Sequence, residues 1–191
     1  VGGAVQDTDS WQIEYLLDER DQIISTGGDW DAFASQNDAP ELRDGKLVGR
    51  PLLDFVSGRV TRSYIQVLIE QVRKTGQSIA IDYRCDAPEV RRFMQMKVSP
   101  SLNNGIRFQS RVLRIEPRET PVTFCRPAER IRGCYNRCSM CNRIKVAEDW
   151  GEAESLLSRQ DLRKGVAVIY GICPGCNDSF QKHLGLSVLE H

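Results

Sequence analysis

The sequence predicts an α+β chain: a five-stranded antiparallel sheet with flanking helices over residues 10–116, an extended connector over 117–133, and a small four-cysteine metal-binding module over 134–188. Three observations predict it. Strand-like and helical patterns follow one another as two strands, several helices and three strands, and a long helix leading into an antiparallel meander closes a single sheet whose open face the helices must cover. Cys85 stands alone in the first 118 residues, whereas Cys125, Cys134, Cys138, Cys141, Cys173 and Cys176 crowd into the rest. Between the two regions Pro117, Pro121 and Pro127 interrupt any regular period, as they do where a chain runs extended.

The elements of the first unit can be taken in order. Trp11 to Leu17 is dense in strand formers, Asp18 to Asp21 is a polar turn, and Gln22 to Thr26 resumes strand character, which together read as a hairpin. After Gly27-Gly28-Asp29 the period changes, and Asp29 is placed to cap a short helix carrying Trp30, Phe33 and Ala34 on one face. Val60, Tyr64, Ile65, Leu68, Ile69 and Val72 recur at helical spacing, and Gly76 stands where a left-handed residue ends a helix. Three strand-like runs follow, 78–84, 92–98 and 106–115, separated by turns at Asp86-Ala87-Pro88 and Asn103-Asn104-Gly105.

The second unit is organised by cysteine. Cys138-Ser139-Met140-Cys141 and Cys173-Pro174-Gly175-Cys176 are two C-x-x-C pairs with 31 residues between them. Two intervening residues let each backbone turn so that both sulfurs converge on one cation, and two such knuckles supply the four corners of a tetrahedron. Zinc is the expected occupant, with iron as the alternative. Four protein thiolates leave no open position for water, so the site is expected to be structural and not catalytic. Between the knuckles, Trp150, Ala153, Leu156 and Leu157 fall at near-helical spacing and Val166 to Tyr170 reads as a strand delivering Cys173, while Asn177 to Leu184 has a cap-like start followed by apolar Phe180 and Leu184 one turn apart.

Composition narrows the functional classes. Twenty-six basic side chains balance twenty-six acidic ones, so no global field recruits nucleic acid or anionic lipid, and no run is apolar enough for a membrane span. An odd count of seven cysteines argues against a fully paired secreted protein, and Val1-Gly2-Gly3 opens no basic-then-apolar leader, so a cytoplasmic location with reduced thiols is expected. The closing Leu189-Glu190-His191 reads as an expression remnant, leaving His183 as the native histidine.

On the paired opening strands, the segment Gly49-Arg50-Pro51-Leu52-Leu53-Asp54-Phe55-Val56, the amphipathic helix after it and the closing strands, residues 10–116 resemble a PAS domain. The resemblance implies a sensory or dimerisation module of bacterial signalling, with a pocket between sheet and helices in which some members hold haem, flavin or a small metabolite. From Cys138 to Cys176 the chain is similar to the short cysteine-bearing segment that ends some bacterial PAS-containing signalling proteins, with Trp150 and Tyr170-Gly171-Ile172-Cys173-Pro174-Gly175-Cys176 as landmarks, and its second pair also resembles a rubredoxin or zinc-ribbon knuckle. Haem held through imidazole is disfavoured, since the first unit has no histidine, and the sole cysteine available for flavin-adduct chemistry, Cys85, ends a strand. The pocket's ligand is therefore unknown. Trp30 and Phe33 are candidates to line it, although aromatic residues on one helical face are more often core.

Other features carry a bland reading beside the sharp one. The arginines of residues 83–92 read as a solvated hairpin tip paired to Asp86 and Glu89 in preference to an anion site. Cys134 is either a substitute ligand, a redox thiol or an unligated bystander, and His183 a competing ligand or a packed side chain. Six basic residues against one acidic between Arg126 and Lys145 favour charge compensation of the thiolates over contact with nucleic acid. The leading expectation is a non-enzymatic bacterial signal-sensing or regulatory protein, binding a small ligand or a protein partner, with a homodimer open. A redox protein (a rubredoxin-like iron carrier or a thiol sensor that releases metal on oxidation, with redox roles for Cys85, Cys125 and Cys134 left open) and a transcriptional regulator touching nucleic acid are the alternatives.

Overall fold

The computed structural model describes residues 12–36, 44–125 and 133–184. Strands β1 (Ile13–Leu17) and β2 (Ile23–Gly28) form the opening hairpin, and helix α1 (Trp30–Gln36) follows. Helix α2 (Arg59–Thr75) then leads into β3 (Ile79–Arg84), β4 (Val90–Pro100) and β5 (Ile106–Pro117). All pairings are antiparallel, in the order β2-β1-β5-β4-β3, so the opening hairpin joins the closing meander through β1 and β5. This is the five-stranded antiparallel sheet that the order of sequence patterns predicts.

Helix α2 covers one face of that sheet. Its Leu68, Ile69 and Val72 are fully buried against Leu17, Ile81, Val98, Ile106 and Phe108, each such side chain contributing about 1.5–3 kcal/mol. The helix ends at Gly76, whose φ of 67° and N–H to the Val72 carbonyl close the last turn. Phe180 and Leu184, from the far end of the chain, belong to the same core, so the carboxy-terminal helix is a cover for the first sheet as well as part of the cysteine module.

The remaining residues build a second sheet of β6 (Phe124–Cys125), β7 (Tyr135–Cys138), β8 (Ile144–Val146), β9 (Asp149–Gly151) and β10 (Val166–Gly171), in the order β6-β10-β7-β8-β9. Strand β10 lies parallel to both β6 and β7, and β7-β8-β9 is an antiparallel meander. Short helices α3 (Ala153–Leu156) and α4 (Arg159–Arg163) precede β10, and α5 (Pro174–His183) closes the described chain. A separate core of Val122, Ile144, Ala153, Leu162, Val166 and Val168 holds this sheet.

Two readings of this region change. Trp150 lies on β9 opposite Lys145, not on a helix, because Ala147 at φ 51° turns the chain tightly enough for a hairpin. In the segment read as a connector, the Arg118 and Val122 N–H groups bond the Glu89 and Pro88 carbonyls, Val122 is buried in the second core, and Phe124–Cys125 pairs with β10. Residues 126–132 of that segment lie outside the described residues.

Candidate metal centre

Each knuckle is delivered by the end of a strand of the second sheet. Cys138 is the last residue of β7, and the turn after it is closed by the Asn142 N–H on the Cys138 carbonyl, with Asn142 at φ 62°. The paired strand β10 ends at Gly171, two residues before Cys173, and the Ser139 N–H bonds the Gly171 carbonyl, so the parallel pairing of β7 and β10 places the two turns side by side. Pro174 then starts α5 at its first helical position and sets Cys176 in the opening turn.

The sulfurs of Cys138, Cys141, Cys173 and Cys176 consequently lie within 4.8 Å of one another. The Cys141 and Cys173 sulfurs are 3.7 Å apart, far beyond a disulfide bond. A tetrahedron with metal–sulfur bonds of about 2.3 Å has an edge of roughly 3.8 Å, so the spacing fits four thiolates around one ion. The group can therefore hold a metal ion, through four soft donors on two turns that the sequence separates by 31 residues.

Electrostatics point the same way. Hydrogen bonds from Cys141 and Cys176 pull the Cys138 thiol far below its usual range, while the same contacts push Cys141 up to about 12 and Cys176 upward as well. A divalent cation reverses this by favouring deprotonation of every ligand.

The first unit reaches into the centre. At its exposed edge, β3 presents the Arg84 N–H to the Met140 carbonyl at 2.7 Å and accepts the Asn142 side-chain amide on the Arg84 carbonyl at 3.1 Å. From α2, the Thr61 hydroxyl meets the Ser139 hydroxyl at 2.7 Å, and the Tyr64 hydroxyl donates to the Asn177 Oδ1, next to Cys176. Tyr64 also packs on Phe180 with ring centroids 4.2 Å apart. Gly58, at φ 87°, lies so close to β10 that an added Cβ would come within 3.0 Å of the Tyr170 Cβ.

A buried ionic network ties the units on the other side. Arg84 pairs with Asp86 and Glu152, Arg91 with Glu154, and Arg118 with Asp86 at 2.5 Å and Glu154 at 2.7 Å. The side chains of Arg118 and Asp86 are 1% and 2% exposed, so the expected solvated tip is in fact a docking surface, with partners from the connector and α3. Sequence reasoning missed it because Glu152 is 68 residues from Arg84.

Other anticipated residues are placed differently. Cys134 is half-buried and outside the four-sulfur group; His183 also lies outside it, exposed, with its Nδ1 2.7 Å from the Ser179 carbonyl. Cys125 is exposed on β6, and burial pushes the Cys85 thiol up. Trp30 packs edge-on against Tyr15 in the first core at 5.6 Å, whereas Phe33 lines a crevice of about 170 Å³ with Arg92, Val112 and Ile115. Of the basic flank, Arg137 is stacked on Phe124 at 4.0 Å, Lys145 pairs with Glu148, and Arg143 faces Glu152 at 3.8 Å. No helix among the described residues is long and apolar enough to cross a membrane. The chain matches no protein-family model, and no curated protein sequence is similar to it.

Proposed function

We propose that this chain is a non-enzymatic bacterial signalling or regulatory protein, acting in the cytoplasm, in which a PAS-like sheet unit is coupled to a structural zinc centre. The observation that carries the reading is the position of the four sulfurs. They sit where β3 and α2 of the first unit bond to the first knuckle and to Asn177 beside the second, so a metal here would fix the contact between two sheets and not merely a tail. The strand order β2-β1-β5-β4-β3, with α2 across one face, supports the PAS-like assignment of 10–116.

Zinc is preferred to iron because four thiolates satisfy its tetrahedral preference with no redox demand. Phe180 and Leu184 fill the helix-covered face of the sheet, which weighs against a small ligand bound at that position. The engagement of Arg137, Arg143 and Lys145 weighs against a nucleic-acid-binding role.

Elemental analysis of protein purified without added metal tests the reading. It predicts colourless protein with one zinc per chain. Stoichiometric iron with visible absorption would replace it with an electron carrier, and protein that folds fully with no metal would remove it.

A further inference from the structure

The four sulfurs are not equivalent. Cys138 and Cys173 are buried at 0% and 6% exposure, while Cys141 and Cys176 are half-exposed. These two open into one crevice of about 270 Å³, walled by Tyr83, Phe93, Met94, Leu113 and Met140. The hydrogen bonds on sulfur divide differently: Cys138 accepts the backbone N–H groups of Cys141 and Cys173, and Cys141 accepts that of Arg143. An N–H···S bond draws charge from a thiolate and makes it a poorer nucleophile. Accessibility leaves Cys141 and Cys176, and of these two Cys141 carries the N–H bond, so the two criteria together point to Cys176.

The walls also choose the reagent. Asp82, Arg84 and Arg114 also border the crevice, but most of its exposed lining is apolar. That suits a small organic hydroperoxide, whose alkyl group can lie against the apolar walls while its peroxide meets the sulfur.

We propose that Cys176 is an oxidation site for small organic hydroperoxides, and that the disulfide it then forms with Cys141 releases the metal. The inference rests on the zinc reading above. The Cys176 thiolate attacks the terminal peroxide oxygen; the S–O bond forms, the O–O bond breaks, and the alkoxide leaves and takes a proton from water. The Cys141 thiolate, with its sulfur inside the 4.8 Å cluster, then attacks the sulfenic sulfur; the S–S bond forms and hydroxide departs. Two thiolates lose two electrons to the hydroperoxide, the zinc keeps its oxidation state, and the ion dissociates because two of its four ligands are gone.

The test uses the zinc-loaded full chain and tert-butyl hydroperoxide, with zinc release followed by a chromogenic chelator and disulfides mapped by peptide mass spectrometry. Release in step with a Cys141–Cys176 disulfide, reversed by a thiol reductant and added zinc, is expected. Leu113→Trp narrows the crevice without touching a ligand and, at unchanged zinc content and melting temperature, is expected to slow release about tenfold. Cys176→His keeps a four-ligand set while removing the nucleophile, and is expected to retain zinc under oxidant. A disulfide mainly between Cys138 and Cys173, or equal release rates in the Leu113→Trp protein, would overturn the proposal. Zinc-loaded protein that keeps its metal under hydroperoxide sinks this inference alone, whereas protein that never carries zinc sinks the reading beneath it.

Discussion

Arg84 joins both attachments of the first unit to the second. Its backbone holds Met140 and Asn142 of the first knuckle, and its guanidinium holds Asp86 and Glu152. Arg118 is the more deeply buried partner in the same network, and removing one member of a buried pair leaves an uncompensated charge. Arg118→Met should therefore destabilise the fold by about 3–5 kcal/mol in urea denaturation; a loss below 1 kcal/mol would mean that the network is solvated. Beside the sulfurs, Thr61 and Tyr64 act as positioning residues on Ser139 and Asn177. Partners of metal-bearing turns commonly set affinity by roughly 10–100-fold, so the double variant Thr61→Val/Tyr64→Phe should lose its bound metal at least about tenfold faster to a competing chelator, at unchanged secondary structure by circular dichroism. At this scale the ligands were legible and their supports were not. A C-x-x-C pair declares its chemistry within four residues, but Thr61 and Ser139 are 78 residues apart, and neither residue type announces the other.

Among the elements, α2 has two roles along its length. Its carboxy-terminal half supplies Leu68, Ile69 and Val72 to the first core, and its opening turns face the knuckles through Thr61 and Tyr64. The apolar period made the first role readable, since burial on one face repeats every three to four residues. Polar docking has no period, so the second role left no comparable trace. The short strands β7, β8 and β9, of four, three and three residues, were hidden for a related reason: pieces this short carry no countable alternation, and the pairing that stabilises them is tertiary. Helix α3 offers a pH test. Burial raises the Glu154 carboxyl, but its hydrogen bonds and the charges of Arg118 and Arg91 outweigh that and hold it below the usual range. A depressed carboxylate stabilises the fold above its unfolded value, near 4.5, and that contribution disappears as pH falls through the folded value. Glu154→Gln should therefore be less stable than the parent at pH 7, with the difference shrinking below about pH 4 in paired denaturation curves. A difference constant from pH 7 to pH 3 would place Glu154 outside the network.

At the scale of the molecule, the two sheets have separate cores but share their boundary with the four-cysteine centre, and this sets how far the loss of a bound metal should spread. The first core is built mainly from its own strands and α2, with Phe180 and Leu184 added by α5, so chelation should not melt it; a bound ion would hold the knuckles with on the order of 10 kcal/mol, as in small thiolate sites. Between these extremes lie the bonded positions. The Arg84 N–H loses its acceptor if the Met140 carbonyl moves, and Phe180 and Leu184 loosen if α5 loses its anchored first turn at Cys173 and Cys176. Amide hydrogen exchange before and after chelation should thus show protection lost throughout 134–142 and 171–184, a graded loss at Arg84 and in the first turns of α2, and no change at β1, β5 or the α2 amides around Leu68 to Val72. Uniform loss across both sheets would make the chain a single metal-dependent unit. Loss confined to the knuckles would show that the hydrogen bonds to β3 and α2 transmit nothing, leaving the first unit without a route to the metal.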